Sequence, residues 1–87
     1  MRIDGEFNIY TVAELKQPLL ESLANQATPI LDLSQVSEMD SAGLQLLLLL
    51  KREADSLGRP LRLSGNNPVV NEVLELCNLS YLFETAA

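Results

Sequence analysis

Apolar and polar residues alternate through Glu6, Phe7, Asn8, Ile9, Tyr10 and Thr11, the period-two pattern of a half-buried strand. Ile3 begins an edge strand ahead of a turn at Gly5. Thr11-Val12-Ala13-Glu14 fits a capping box, and Leu15, Leu19, Leu20 and Leu23 then recur at helical spacing. Pro18 lies inside that helix without an N–H for the Glu14 carbonyl, so a kink or a fresh start is expected there. Thr28-Pro29 ends the segment, and residues 30–34 read as a short apolar strand. A long helix is expected from Ser41 or Ala42 to Leu57, closed by Gly58 and Pro60. Leu61-Arg62-Leu63 forms the next strand, and a turn at 64–68 leads into a helix with Pro68 in its first turn. That helix carries Val69, Val70, Val73, Leu74 and either Leu76 or Cys77, and Tyr81-Leu82-Phe83 makes a last strand before Ala86-Ala87. Strands and helices in alternation indicate an α/β domain with a parallel or mixed sheet.

Composition narrows the function. The 87 residues are 47% hydrophobic and carry 6 basic against 12 acidic side chains, a net charge of −6. One domain over residues 1–87 is expected, because a chain of this length buries a single core. No basic stripe is present for a nucleic-acid backbone. Histidine is absent and cysteine occurs once, which removes a zinc site, a Cys–His or Ser–His couple, and a disulfide within the chain. No signal peptide or membrane span is visible, so the chain reads as cytoplasmic. It reads as a non-enzyme without cofactor or metal.

The informative place is Met39-Asp40-Ser41-Ala42-Gly43-Leu44, the turn into the long helix. Free N–H groups and a partial positive charge there favour an anion. A phosphate on Ser41 would bring about −1.5 to −2 charges to that end. The simpler reading is that Asp40 or Ser41 is an N-cap. Gly43 leaves the backbone open to close approach by another protein. At 100° per residue, Leu46, Leu47, Leu50, Ala54 and Leu57 gather on a core face. Leu44 and Leu48 fall on a sector with Ser41, Lys51, Arg52 and Asp55, either as the apolar centre of a partner surface or covered by another helix of the domain. Asn66-Asn67-Pro68 lies at a strand's C-terminal end, where α/β proteins often bind ligands, but it lacks a glycine-rich phosphate pattern and reads as a turn. Cys77 is expected to be a small buried hydrophobe, and Tyr10 and Tyr81 half-buried strand residues. Glu38 and Asp40 read as loop acids, not a catalytic pair.

Leu31-Asp32-Leu33-Ser34, then Met39-Asp40-Ser41-Ala42-Gly43-Leu44 and a leucine-rich helix, resembles the STAS domain family of bacterial anti-sigma-factor antagonists. The likeness extends to residues 5–11 as strand and helix entry, and to Leu61-Arg62-Leu63 with Asn67-Pro68-Val69-Val70. It implies a STAS-type single domain, with a four- or five-stranded mixed sheet and three to four helices. It also implies a phosphorylatable hydroxyl at Ser41 and a partner surface of Asp40, Ser41, Gly43, Leu44, Leu48, Lys51 and Arg52. In sigma-regulating members the unphosphorylated domain binds an anti-sigma factor that is also a serine kinase. Phosphorylation ends binding, and a PP2C-type phosphatase restores it; ATP and magnesium belong to the kinase. Asn8 stands where those members usually have an acidic residue. Other short relatives imply alternatives: a phospholipid-transport ABC subunit that binds the ATPase without phosphorylation, or a chemotaxis or signalling adaptor.

Overall fold

The computed structural model describes residues 1–85. Strand β1 (Gly5–Phe7) leads through a turn into helix α1 (Val12–Ala24). Strands β2 (Ile30–Asp32) and β3 (Val36–Met39) precede the long helix α2 (Ser41–Ser56). Strand β4 (Arg62–Ser64), helix α3 (Pro68–Leu76), a 3₁₀ turn (Ser80–Leu82) and strand β5 (Glu84–Thr85) complete the chain. The final strand therefore begins after the expected Tyr81-Leu82-Phe83 segment, most of which is 3₁₀ turn. Ala86 and Ala87 lie outside the described residues.

β2 and β3 are consecutive halves of one stretch, split at residues 33–35, and lie in two sheets, β2–β4–β5 and β1–β3. Arg2 bridges to Asp32 in parallel, and β1 then pairs with β3 in parallel. The first residues anchor this edge, with Asp32 N–H donating to the Met1 carbonyl at 2.8 Å and Ile3 N–H to the Asp32 carbonyl at 3.2 Å. β4 pairs with β2, and β5 with β4, again in parallel. Every ladder among the described residues is parallel, one of the two arrangements that the alternation of strands and helices indicates, whereas the resemblance implied a mixed sheet. Each strand is reached through a helix or as a continuation of its predecessor, so the chain re-enters from the same end.

Asn67 holds the break between the two halves. Asp32 Oδ1 accepts the Ser34 N–H at 2.9 Å and turns the chain out of β2. Behind the break, buried Asn67 donates through Nδ2 to the carbonyls of Leu33 and Val36, both at 2.8 Å. Its Oδ1 accepts the Val69 N–H at 2.9 Å and caps α3. Pro68 occupies the first turn of that helix as expected.

The core joins Ile3, Phe7, Leu31, Leu33 and Met39 of the sheet region to Leu19 and Leu23 of α1, Leu46, Leu47, Leu50 and Ala54 of α2, and Val70 and Leu74 of α3. The face assigned to α2 is therefore buried, apart from Leu57. That residue is the C-cap, where the chain leaves the helix, and is 46% exposed. α1 runs without a break through exposed Pro18, where water can solvate the Glu14 carbonyl. Leu76, Cys77, Tyr10 and Tyr81 are exposed instead of buried or half-buried. Leu76 and Cys77 fall at the end of α3, past its two buried residues, while Tyr10 and Tyr81 lie in turns and not in strands.

Candidate protein-binding site

The C-terminal ends of β1 and β3 run side by side, with Phe7 beside Met39, and so bring residues 8–11 against the start of α2. Asp40 joins the two segments. Its Oδ1 accepts the N–H groups of Ala42 at 2.9 Å and Gly43 at 3.0 Å, and its Oδ2 accepts the Ile9 N–H at 3.1 Å. The Gly43 N–H does most to pull the Asp40 carboxyl below the usual carboxylate range; burial opposes it, and the N–H groups of Ile9 and Ala42 add smaller pulls in the same direction as Gly43. Asp40 is thus the N-cap of α2, and Ser41 is the first helical residue, exposed to solvent.

The turn carrying Ile9 and Tyr10 is tightly bonded. Asn8 donates its N–H to Thr11 Oγ1 at 3.1 Å, and its Oδ1 accepts the Tyr10 N–H at 3.0 Å. The Asn8 carbonyl accepts from the N–H groups of Thr11 and Val12, both at 3.0 Å. Thr11 Oγ1 lies 3.0 Å from the Glu6 carbonyl as donor. The expected capping box at Thr11 is absent, because this hydroxyl is drawn back into the turn and makes no cap bond. Asn8 is 2% exposed and acts as the keystone of the turn. Its two successors are presented outward, Ile9 at 62% and Tyr10 at 85% exposed. Two large side chains on a fixed backbone make a candidate for a preorganised contact. Glu6 and Glu38, neighbours across the β1–β3 ladder, are both exposed and make the surrounding rim acidic.

Other site candidates fare differently. Gly43 and Leu44 are buried and offer no surface to a partner. A Cβ at Gly43 would collide with the Phe7 carbonyl, so the close approach that this glycine permits is to β1 of the same chain. Leu44 joins the core cluster at 6% exposure. α2 packs on both α1 and β3, so its buried arc from Leu46 to Leu44 spans about 160°, wider than a single stripe. Leu48 and Lys51 are half-buried and Arg52 is exposed. Lys51 pairs with Asp55 one turn on, at 2.6 Å. Asp40, Ser41, Ile9 and Tyr10 therefore form the contiguous accessible group, with Leu48 and Arg52 farther along α2. Periodicity did not find Ile9 and Tyr10, because alternation placed them in a strand. Asn8 two residues before Tyr10 and three before Thr11 is the turn signal that competes with it.

Among the described residues, no group of three or more His, Cys, Asp or Glu side chains could hold a metal ion. No helix there is long and apolar enough to cross a membrane.

Residues 1–84 match the family model described as "Mlab, STAS domain". The chain is similar to the solved structure of the anti-sigma factor antagonist SpoIIAA in its unphosphorylated form. The two are 24% identical, 99% of this chain and 76% of that one are covered, and the TM-score is 0.77. A putative anti-sigma factor antagonist from Thermotoga maritima is 26% identical over 94% of this chain and 72% of that chain, with a TM-score of 0.82. The STAS domain of a SulP transporter from Vibrio cholerae is 24% identical over 93% and 66% of the two chains, with a TM-score of 0.65.

Proposed function

This chain belongs to the STAS domain family, and on that premise we propose that it is a non-enzymatic regulatory module that binds a partner protein through the Ile9–Tyr10 turn and the start of α2, with phosphorylation of Ser41 as its off switch. The observation that carries the reading is the filled cap beside an open hydroxyl. Ala42 and Gly43 N–H groups are held by Asp40, and the Leu44 N–H by the Asp40 carbonyl at 3.0 Å. A phosphate on Ser41 therefore meets a helix end whose Ala42, Gly43 and Leu44 donors are committed and a carboxylate next to it. It is turned toward solvent and whatever docks there.

The arithmetic favours an interface switch. One phosphate shifts the net charge from −6 to about −8, placed beside Ile9 and Tyr10. Burying an unpaired dianion against an apolar contact costs several kcal/mol, and a micromolar complex is worth about 8 kcal/mol. The acidic rim of Glu6 and Glu38 selects a partner with an apolar cleft and basic margins. An anti-sigma factor with serine-kinase activity, reversed by a PP2C-type phosphatase, is the partner set proposed here, acting in the cytoplasm in transcription regulation.

A second reading is a constitutive subunit of a membrane-transport ATPase, or an adaptor in a chemotaxis or signalling complex. It is favoured by Asn8, an uncharged amide locked into its turn where an acidic side chain would stand beside a phosphorylated serine. The similar SulP transporter domain is consistent with it. Phosphosite mapping of the chain from its own cells, with partner capture by wild type, Ser41→Ala and Tyr10→Ala, separates the readings. A phosphate at Ser41 with capture lost in Tyr10→Ala supports the switch. Capture by an unmodified chain under every growth condition supports the constitutive subunit.

A further inference from the structure

A second candidate region shares no residue with the Ser41 face. At the C-terminal end of β4, alongside α3, is a cavity of about 210 Å³. Leu63, Val70, Leu74 and Phe83 give it apolar walls, and Asn71 and Glu75 stand at its polar side. The volume holds about seven waters and falls below the 300–1,000 Å³ of drug-sized pockets. It matches one long side chain or a molecule of similar size.

The lining favours one charge on the occupant, although Ser64, Asn66 and Ser80 add neutral polar groups that can donate as well as accept. Among the described residues Glu75 is the charged one of the lining, and no lysine or arginine contributes to it. At the N-terminal end of α3 most donors are already committed, the Asn71 N–H to the Asn67 carbonyl at 2.9 Å among them, which leaves the Val70 N–H to an anion. Pro68 has no N–H, the Val69 N–H is held by Asn67 Oδ1, and Asn67 Nδ2 is committed to two carbonyls. Glu75 lies in the last turn of α3, at the negative end of the helix dipole. Asn71 Nδ2 donates to Asn66 Oδ1 at 2.6 Å, which leaves the Asn71 amide oxygen as an acceptor. Phe83 adds an aromatic wall of the kind that attracts cations.

We propose that this cavity binds a small organic cation, an ammonium or guanidinium on an apolar stem. The stem lies against Leu63, Val70 and Leu74, and the head meets Glu75, the Asn71 amide oxygen and Phe83. Such a group can come from a free amine or from a lysine or arginine side chain of a bound protein.

The test is an NMR titration of the full chain, following the methyl signals of Leu63, Val70 and Leu74. The probes are n-butylamine for the free amine and N-acetyl-arginine-methylamide for the side chain. N-acetyl-norleucine-methylamide and N-acetyl-glutamate-methylamide serve as neutral and anionic counterparts. Saturable shifts are expected with at least one cationic probe, at least about tenfold tighter than with the neutral one, the worth of one charge-assisted hydrogen bond. Glu75→Gln, at an exposed position that leaves the fold intact, is expected to erase that preference. The stronger cationic probe tells which source the site favours. The proposal is overturned by cationic probes that cause no saturable shift, by equal binding of the neutral or anionic probe, or by a Glu75→Gln chain that binds as wild type does.

Discussion

Replacing Asn67 separates two roles that one side chain plays at once. Its Nδ2 satisfies the carbonyls of Leu33 and Val36 at the break between β2 and β3, and its Oδ1 caps α3. Asn67→Ala removes both functions. The Leu33 carbonyl keeps the Val36 N–H at 3.2 Å, so the loss falls on Val36, where a buried carbonyl without its Asn67 donor costs about 1–3 kcal/mol, and a lost N-cap adds about 0.5–2 kcal/mol. With partial relaxation the total is about 2–5 kcal/mol, a large share of the roughly 5–15 kcal/mol that holds a small domain together. At about 4–8 °C per kcal/mol for a domain of this size, the melting temperature falls by about 8 °C or more. Asn67→Asp is the sharper probe, since aspartate is as good an N-cap as asparagine yet brings acceptors to face two acceptors. It is expected to be at least as unstable as Asn67→Ala at neutral pH. The introduced carboxyl is held protonated more strongly in the folded chain than in the unfolded one. Its stability is therefore kept below the unfolded pKa and lost as pH rises through the folded pKa, so the gap to Asn67→Ala narrows in acid. Urea unfolding of both variants at pH 7 and about pH 4.5 measures this. An Asn67→Asp chain within about 0.5 kcal/mol of wild type at pH 7 would refute the reasoning, and would mean that the cap alone matters.

Gly43→Ala improves helix propensity by up to about 1 kcal/mol, but its Cβ meets the Phe7 carbonyl. A net loss of about 1–3 kcal/mol is expected by thermal unfolding, and a stabilised variant would show that this approach is not tight. Leu44→Asp places a charge in the core and is expected to unfold the chain by circular dichroism, whereas Tyr10→Ala shifts stability by no more than about 0.5 kcal/mol. Because the Asp40 carboxyl is held below its ordinary range, its contribution is present above the unfolded pKa and lost as pH falls through the folded one. The acid limb of wild-type stability, below about pH 4, should be shallower in Asp40→Asn when unfolding is followed from pH 2.5 to 7.

Much of the fold could be read from local periodicity. The buried faces of α1 and α2 followed from leucine spacing, and Pro68 marked the first turn of α3. What escaped was decided between segments distant in sequence. Thr11 has the sequence of a capping box, but the Asn8 turn claims its hydroxyl. Leu44 lies off the central stripe of α2 and is buried because that helix touches two neighbours. Glu38 reads as a loop acid before the helix, yet it lies in β3, where β1 pairs with Glu38 and Met39. Of the candidate site, Asp40 and Ser41 were legible because a helix start has its own residue signals. Ile9 and Tyr10 were not, since an Asx turn and a strand share their polar–apolar alternation, and the Asp40 bond that fixes the turn spans 31 positions.

The central claim is that a phosphate on Ser41 is displayed to the partner and not absorbed by its own helix. The most direct measurement is the affinity of the unmodified and the Ser41-phosphorylated chain for the protein that co-purifies with the unmodified form, at equal ionic strength. A loss of at least about 100-fold on phosphorylation, with the fold and melting temperature little changed, is the predicted result. Affinities that agree within about twofold would contradict the account.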